Sequence, residues 1–148
     1  MSEARVEGGP HGGEWTSGGG ESRSTAEEFR AARATANAKI ASAPRPTEAD
    51  VARNTAMIAR SSRAGGELRG NSRDRFVRTQ KLLNEFGDGE HCPCVYCGHR
   101  LDASTLTQDK IYTAREGGRY RMDNLLPACL PCNQGRSDTS LAGVTLAS

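Results

Sequence analysis

Hydrophobic and polar positions divide the chain into stretches of different character. Residues 1–23 show no periodicity. Gly8-Gly9-Pro10, Gly12-Gly13 and Gly18-Gly19-Gly20 punctuate a polar segment that reads as a disordered tail, with Trp15 standing alone in it. A helix is expected next. Thr25-Ala26-Glu27-Glu28 has the spacing of a capping box, and Ala-rich sequence runs to about Ala43 before Pro44-Arg45-Pro46 stops it. Thr47, with Asp50 three residues on, caps a second helix over about 48–63, which Gly65-Gly66 breaks. Large apolar residues are few in both helices: Phe29, Ile40, Val51, Met57 and Ile58. Such helices are expected to pack weakly, or to order with a partner.

A third helix has a stronger pattern. Asn71 or Ser72 can cap its start, and Gly87 sits where a left-handed C-terminal residue belongs. Phe76, Leu83 and Phe86, with Leu82 beside them, share roughly one face. Arg75, Arg78 and Lys81 recur every three residues on another stripe. That stripe is either a solvated face or a surface for phosphates. From Thr105 to Leu126 the pattern becomes strand, loop, strand. Thr105-Leu106-Thr107 and Ile111-Tyr112 carry β-forming residues, Glu116-Gly117-Gly118 makes a turn, and Asn124-Leu125-Leu126 returns as a strand expected to stop at Pro127. A short helix is expected near Leu130–Ser137. The organisation is therefore an α+β chain: a tail (1–23), a helical extension (24–66), a basic helix (67–90), a small domain (91–137) and a flexible tail (138–148).

Composition says what such a chain lacks. Hydrophobic residues make up 35% and aromatic residues 5%, with 17 Gly, so a large core is not expected. A net charge of +2 is too mild to indicate nucleic-acid binding by itself. No charged-then-apolar leader and no long apolar run stands in the sequence, so a cytoplasmic setting without membrane contact is expected. A reducing setting suits thiolate ligands better than disulfides.

The chemistry lies in two Cys-x-x-Cys knuckles. Cys94-Val95-Tyr96-Cys97 opens a polar block and Cys129-Leu130-Pro131-Cys132 closes it. Four thiolates in two such turns suit one tetrahedral structural Zn²⁺ with no open position for substrate. Cys92 is then a spare thiol, and His91 and His99 flank a shell that is already complete. Asp109 lies between the knuckles and Asn133 directly follows the last Cys, which suggests a second, harder metal nearby.

These residues resemble a family. Cys-x-x-Cys-Gly, an acid at a strand end, Gly117-Gly118, Asp123-Asn124-Leu125 and Cys-x-x-Cys-Asn look like an HNH endonuclease with a ββα-metal fold, closest to small zinc-containing HNH proteins of phages. Arg69-Gly70-Asn71-Ser72, Leu82-Leu83 and Phe86-Gly87-Asp88-Gly89 add to the match, which spans about residues 69–136. The resemblance implies a DNA endonuclease or nickase that hydrolyses phosphodiester bonds with Mg²⁺ or Mn²⁺. Asp109 and Asn133 take the positions of the family's catalytic metal ligands, and Asn124 that of the residue fixing the loop. Lys110 stands where the family usually has its general-base His. Three roles stay open for it: a base of depressed pKa, a cation holding phosphate charge, or none, with catalysis lost. Arg115, Arg119 and Arg121 around Gly117-Gly118 would hold flanking phosphates of double-stranded DNA, together with Arg75, Arg78 and Lys81. The alternatives are a non-catalytic zinc-dependent DNA-binding module, or an interaction protein whose N-terminal helices dock onto phage packaging (terminase) proteins, placing it in the host cytoplasm.

Overall fold

The computed structural model describes residues 22–60, 70–136 and 139–147. Trp15 and the glycine runs of the expected tail, Gly65-Gly66, and Ser137 at the expected end of the last helix lie outside the described residues. Helix α1 spans Ala26–Ser42, α2 Glu48–Arg60 and α3 Ser72–Phe86. Each starts on a reciprocal cap. The Thr25 hydroxyl accepts from Glu28 N while the Glu28 carboxylate accepts from Thr25 N. Thr47 and Asp50 do the same for α2, and Asn71 and Asp74 for α3. Two orphan backbone donors are satisfied at each start.

Two small antiparallel hairpins follow. Cys92–Pro93 (β1) pairs with Arg100–Leu101 (β2), and Thr107–Lys110 (β3) pairs with Leu125–Ala128 (β4). In the second hairpin Asp109 faces Leu126 and Lys110 faces Leu125. The connection from β3 to β4 contains two short 3-10 turns, at Ala114–Glu116 and Met122–Asn124. Helix α4, Leu130–Arg136, closes the unit. The core gathers Leu82 and Leu83 of α3, Leu101, Ile111, and Leu125 and Leu126 of β4, all fully buried. Burying side chains of this size contributes about 1.5–3 kcal/mol each. Among the described residues no helix is long and apolar enough to cross a membrane.

Three local expectations need correction. Phe76 does not join Leu83 and Phe86 in the core; it is 61% exposed, while Thr79 and Leu82 are buried. The first turns of α3 run past the apolar core, so helical spacing continues where there is nothing left to cover. Gly87 is not left-handed: its φ is −157°. A glycine is required there because a Cβ would lie 1.9 Å from the His91 carbonyl oxygen. Strand β4 continues through Pro127 to Ala128. The Pro127 carbonyl accepts from Val95 N at 3.2 Å, pointing away from β3. In an extended strand a residue's N–H and C=O point to the same side, so the missing N–H costs the β3 ladder nothing.

The N-terminal helices are tied to the rest of the chain. Helix α1 approaches closely because its inward residues are small, with Ala32, Ala36 and Ile40 buried. Lys39 Nζ reaches Glu85 Oε1 at 2.7 Å, and Ser24 N donates to Gly98 O at 3.0 Å. Asn54 of α2 is fully buried, and its Nδ2 donates to Ala114 O at 3.0 Å and Gly118 O at 2.8 Å. Residues 139–147, expected as a frayed tail, pack along the fold. Leu141 is buried with its N–H on Ile111 O, and Asn37 exchanges two hydrogen bonds with the Leu146 backbone.

Replacing Asn54 by Ala leaves two carbonyls of the β3–β4 connection without their donor. We expect a loss of about 2 kcal/mol in denaturant unfolding, together with faster amide exchange over residues 113–118. Unchanged stability and exchange would show that α2 does not hold this connection.

Candidate metal centre and active site

The thiols of Cys94, Cys97, Cys129 and Cys132 all lie within 4.8 Å of one another. The turn after β1 supplies the first two, and the step from β4 into α4 supplies the others. Cys97 Sγ and Cys129 Sγ are 3.8 Å apart. A tetrahedron with Zn–S bonds of about 2.3 Å has edges of about 3.8 Å, so the cluster fits one Zn²⁺ ion. Burial opposes ionisation of Cys94, yet hydrogen bonds from Cys129, Cys132 and Cys97 hold its thiol well below the ordinary range. Hydrogen bonds with Cys129 and Cys94 drive both Cys97 and Cys132 upward. A second thiolate beside the first is unfavourable unless a cation joins them. Cys92 stays outside the cluster, its thiol pushed up to about 12 by burial and by Cys94.

Arg33 of α1 backs this centre. Its Nε donates to Val95 O at 2.9 Å and its Nη2 to Tyr96 O at 2.8 Å, both carbonyls of the first knuckle. Burial lowers the guanidinium from its usual value, and the Cys94 and Cys97 charges oppose that shift. Sequence spacing gave no sign of this contact, because α1 lies far upstream.

Strand β3 distributes the other candidate residues by its pleat. Thr107 and Asp109 face α4. Asn133 Nδ2 donates to Thr107 Oγ1 at 3.0 Å, and Arg136 pairs with the Asp109 carboxylate. Tyr96, inside the first knuckle, donates its hydroxyl to the other Asp109 oxygen. Asp109 is 2% exposed. Burial pushes its carboxyl up, while Arg136 and Tyr96 draw it back down. Tyr96 and Arg136 were not singled out in the sequence. Their only signal was position, one inside a knuckle and the other three residues beyond Asn133 on the same helix.

Gln108 and Lys110 face the opposite way, toward α3. Gln108 Nε2 donates to Arg75 O and Thr79 Oγ1, each at 2.9 Å, and its Oε1 accepts from Arg78 Nε at 2.8 Å. Lys110 Nζ lies 4.1 Å from the centre of the Tyr120 ring, and the Arg78 guanidinium lies 5.2 Å from it. Asp109 and Lys110, adjacent in sequence, thus have different neighbours. Of the expected phosphate contacts, Arg75 and Lys81 are exposed on α3, whereas Arg78 is half-buried against Gln108 and Tyr120. Arg115, Arg119 and Arg121 are exposed on the β3–β4 connection, Arg121 lying 3.4 Å from Asp123. Asn124 is buried inside that connection. Its Oδ1 accepts from Tyr112 N, and its Nδ2 donates to Tyr112 O and Arg119 O. Gly118 lies so close that a Cβ there would sit 1.8 Å from the Tyr112 carbonyl oxygen.

A thiolate-clustered centre that joins a two-stranded hairpin to a following short helix defines a small α+β metal-binding unit. Residues 94–139 match the family model described as HNH endonuclease. No curated protein and no solved structure matches the chain. Residues 94–139 therefore form an HNH-like domain, which suggests a nuclease or nucleic-acid-binding function.

Cys129→Ser removes one of the four ligands. It should lower zinc content, measured by atomic emission on the purified chain, and cost at least about 3 kcal/mol of stability. Wild-type zinc content and thermal midpoint in that variant would refute the four-thiol centre.

Proposed function

We propose that this protein is a zinc-stabilised DNA endonuclease or nickase that hydrolyses phosphodiester bonds with the help of a divalent cation. The observation that carries the reading is the grouping around β3. Asp109 and Asn133 lie on one face and Lys110 and Arg78 on the other; Asn133 lines an open groove between α3 and α4, while Asp109 is buried behind it. The donor set suits Mg²⁺ or Mn²⁺ in kind: Asp109 offers carboxylate oxygens and Asn133 an amide Oδ1. Both Asp109 oxygens are already engaged by Arg136 and Tyr96, so an ion would join them only with the Arg136 guanidinium turned away. Such an ion would supply positive charge at the scissile phosphate.

The chain's own residues account for the rest. Asn124 fixes the β3–β4 connection that presents Tyr120, Arg119 and Arg121. Lys110 acts as a clamp on phosphate charge rather than as a base. Its Nζ lies 4.1 Å from the centre of the Tyr120 ring, a cation–π contact that positions the ammonium. Arg75, Lys81, Arg119 and Arg121 give contacts to the DNA backbone that add affinity without reading sequence.

A second reading has an observation of its own. The pairing of Asp109 with Arg136 and Tyr96 is also what a structural strut would show, and a DNA-binding module without catalysis would keep it.

Supercoiled plasmid incubated with zinc-loaded protein, with and without Mg²⁺ or Mn²⁺, separates the two. We expect cleavage only with the added ion, and its loss in Asp109→Ala, whose zinc content should match wild type. Cleavage that persists in Asp109→Ala would refute the endonuclease site, and no cleavage in any wild-type sample would leave the DNA-binding module.

The clamp role has its own check. Lys110→Arg keeps the charge but cannot give up a proton, so it should retain activity within about tenfold, whereas Lys110→Met should lose most of it. Equal loss in both variants would point to a base instead.

A further inference from the structure

The groove along the open edge of β3 has a volume of about 450 Å³, within the range of small-ligand sites. Its walls are the first turns of α3, with Ser72, Arg75 and Phe76, and the start of α4, with Leu130 and Asn133. Gln108 and Tyr120 line its floor and one end. One feature of it is not used by the site already described. Phe76 and Leu130 are 61% and 52% exposed, large apolar side chains lining the same groove. Among the described residues no acid lines it, while Arg75 belongs to it and Lys110 and Arg78 both lie against its Tyr120.

We propose that this groove seats one unstacked nucleotide of a DNA strand, its base against the Phe76 ring with Leu130 opposite, and its neighbouring phosphates on Arg75 and Lys110. The proposal rests on the nucleic-acid reading above and narrows it to substrates with unpaired or easily unpaired bases. An apolar groove alone would suit a peptide equally well. The cations at its rim, with no carboxylate lining it among the described residues, favour an occupant that is both flat and anionic. In an intact duplex the base faces are stacked on one another, so a Phe ring reaches one only after unstacking. The side-chain amide of Asn133 on the same lining offers a polar partner for a base edge without selecting one base strictly. Aromatic stacking of this kind tolerates any base, because each has a π-face.

The test uses the full zinc-loaded chain without added Mg²⁺, and dye-labelled oligothymidylate of about fifteen nucleotides beside a blunt duplex of the same length. Anisotropy titrations should show Phe76→Ala weakening the single strand roughly tenfold or more and the duplex by less than about twofold. Phe76→Tyr, which keeps the ring, should restore single-strand binding to within about threefold of wild type. Phe76 is on the surface, so these variants should fold, and circular dichroism with zinc content checks that they do. The proposal is overturned if Phe76→Ala leaves single-strand affinity unchanged, or weakens both forms equally. It is also overturned if sedimentation shows a wild-type dimer that Phe76→Ala dissociates, since a second copy then covers the groove. Normal duplex binding with an unaffected single strand removes this inference alone, whereas no binding to either oligonucleotide removes the nucleic-acid reading as well.

Discussion

Four sulfur atoms within 4.8 Å of one another cannot all carry charge without a cation between them, and much of this fold hangs on that crowding. The cluster joins segments that have little else to hold them. Strands β1 and β2 are two residues each, and α4 is seven residues long and adds no fully buried apolar side chain to the core. Elements so short do not supply independent stability. A metal–thiolate centre replaces the missing core, because the binding free energy of the ion becomes folding free energy. The same centre sets the geometry of its surroundings. Val95 N reaches Pro127 O, which fixes the first knuckle on β4, and Arg33 bonds two carbonyls of that knuckle, which fixes α1 on it.

The second constraint is a buried charge. Asp109 and Arg136 have side chains 3% and 9% exposed, so each loses most of its hydration. Removing one partner from such a pair is costly, because the other is left buried and uncompensated. Tyr96 adds a hydrogen bond to the same carboxylate from inside the first knuckle. Metal centre and candidate active site are therefore one connected structure. A shift at Cys94 or Cys97 carries Tyr96 with it, and Tyr96 bears on Asp109. This coupling gives the N-terminal helices a structural place. Through Arg33 and Asn54 they hold both ends of the arrangement, the knuckle and the β3–β4 connection.

Charge on the surface is divided rather than gathered into one stripe. Arg75 and Lys81 lie on α3, and Arg119 and Arg121 lie on the β3–β4 connection. Between them Tyr120 carries Lys110 and Arg78 against its ring. A mild net charge of +2 is compatible with a basic working face, because field depends on where charges sit and not on their sum.

Much of this was legible in the sequence wherever the deciding contacts are local. Capping boxes span three residues, so Thr25, Thr47 and Asn71 announce their helices directly. A Cys-x-x-Cys knuckle is likewise its own turn, and two of them named the metal centre before any fold was known. The strand–loop–strand pattern was readable for the same reason, although β3 runs over Thr107–Lys110, between the two β-forming stretches expected there. What the tertiary structure decided are contacts between residues far apart in the chain. Arg136 meets Asp109 across 27 positions and Asn54 meets Ala114 across 60, and no local pattern encodes either. Gly87 and Pro127 depend on which backbone comes near them, so their roles could not be read from glycine and proline preferences alone. Phe76 shows the limit most clearly. Helical spacing fixes which residues share a face, but only packing decides how far along that face the core extends.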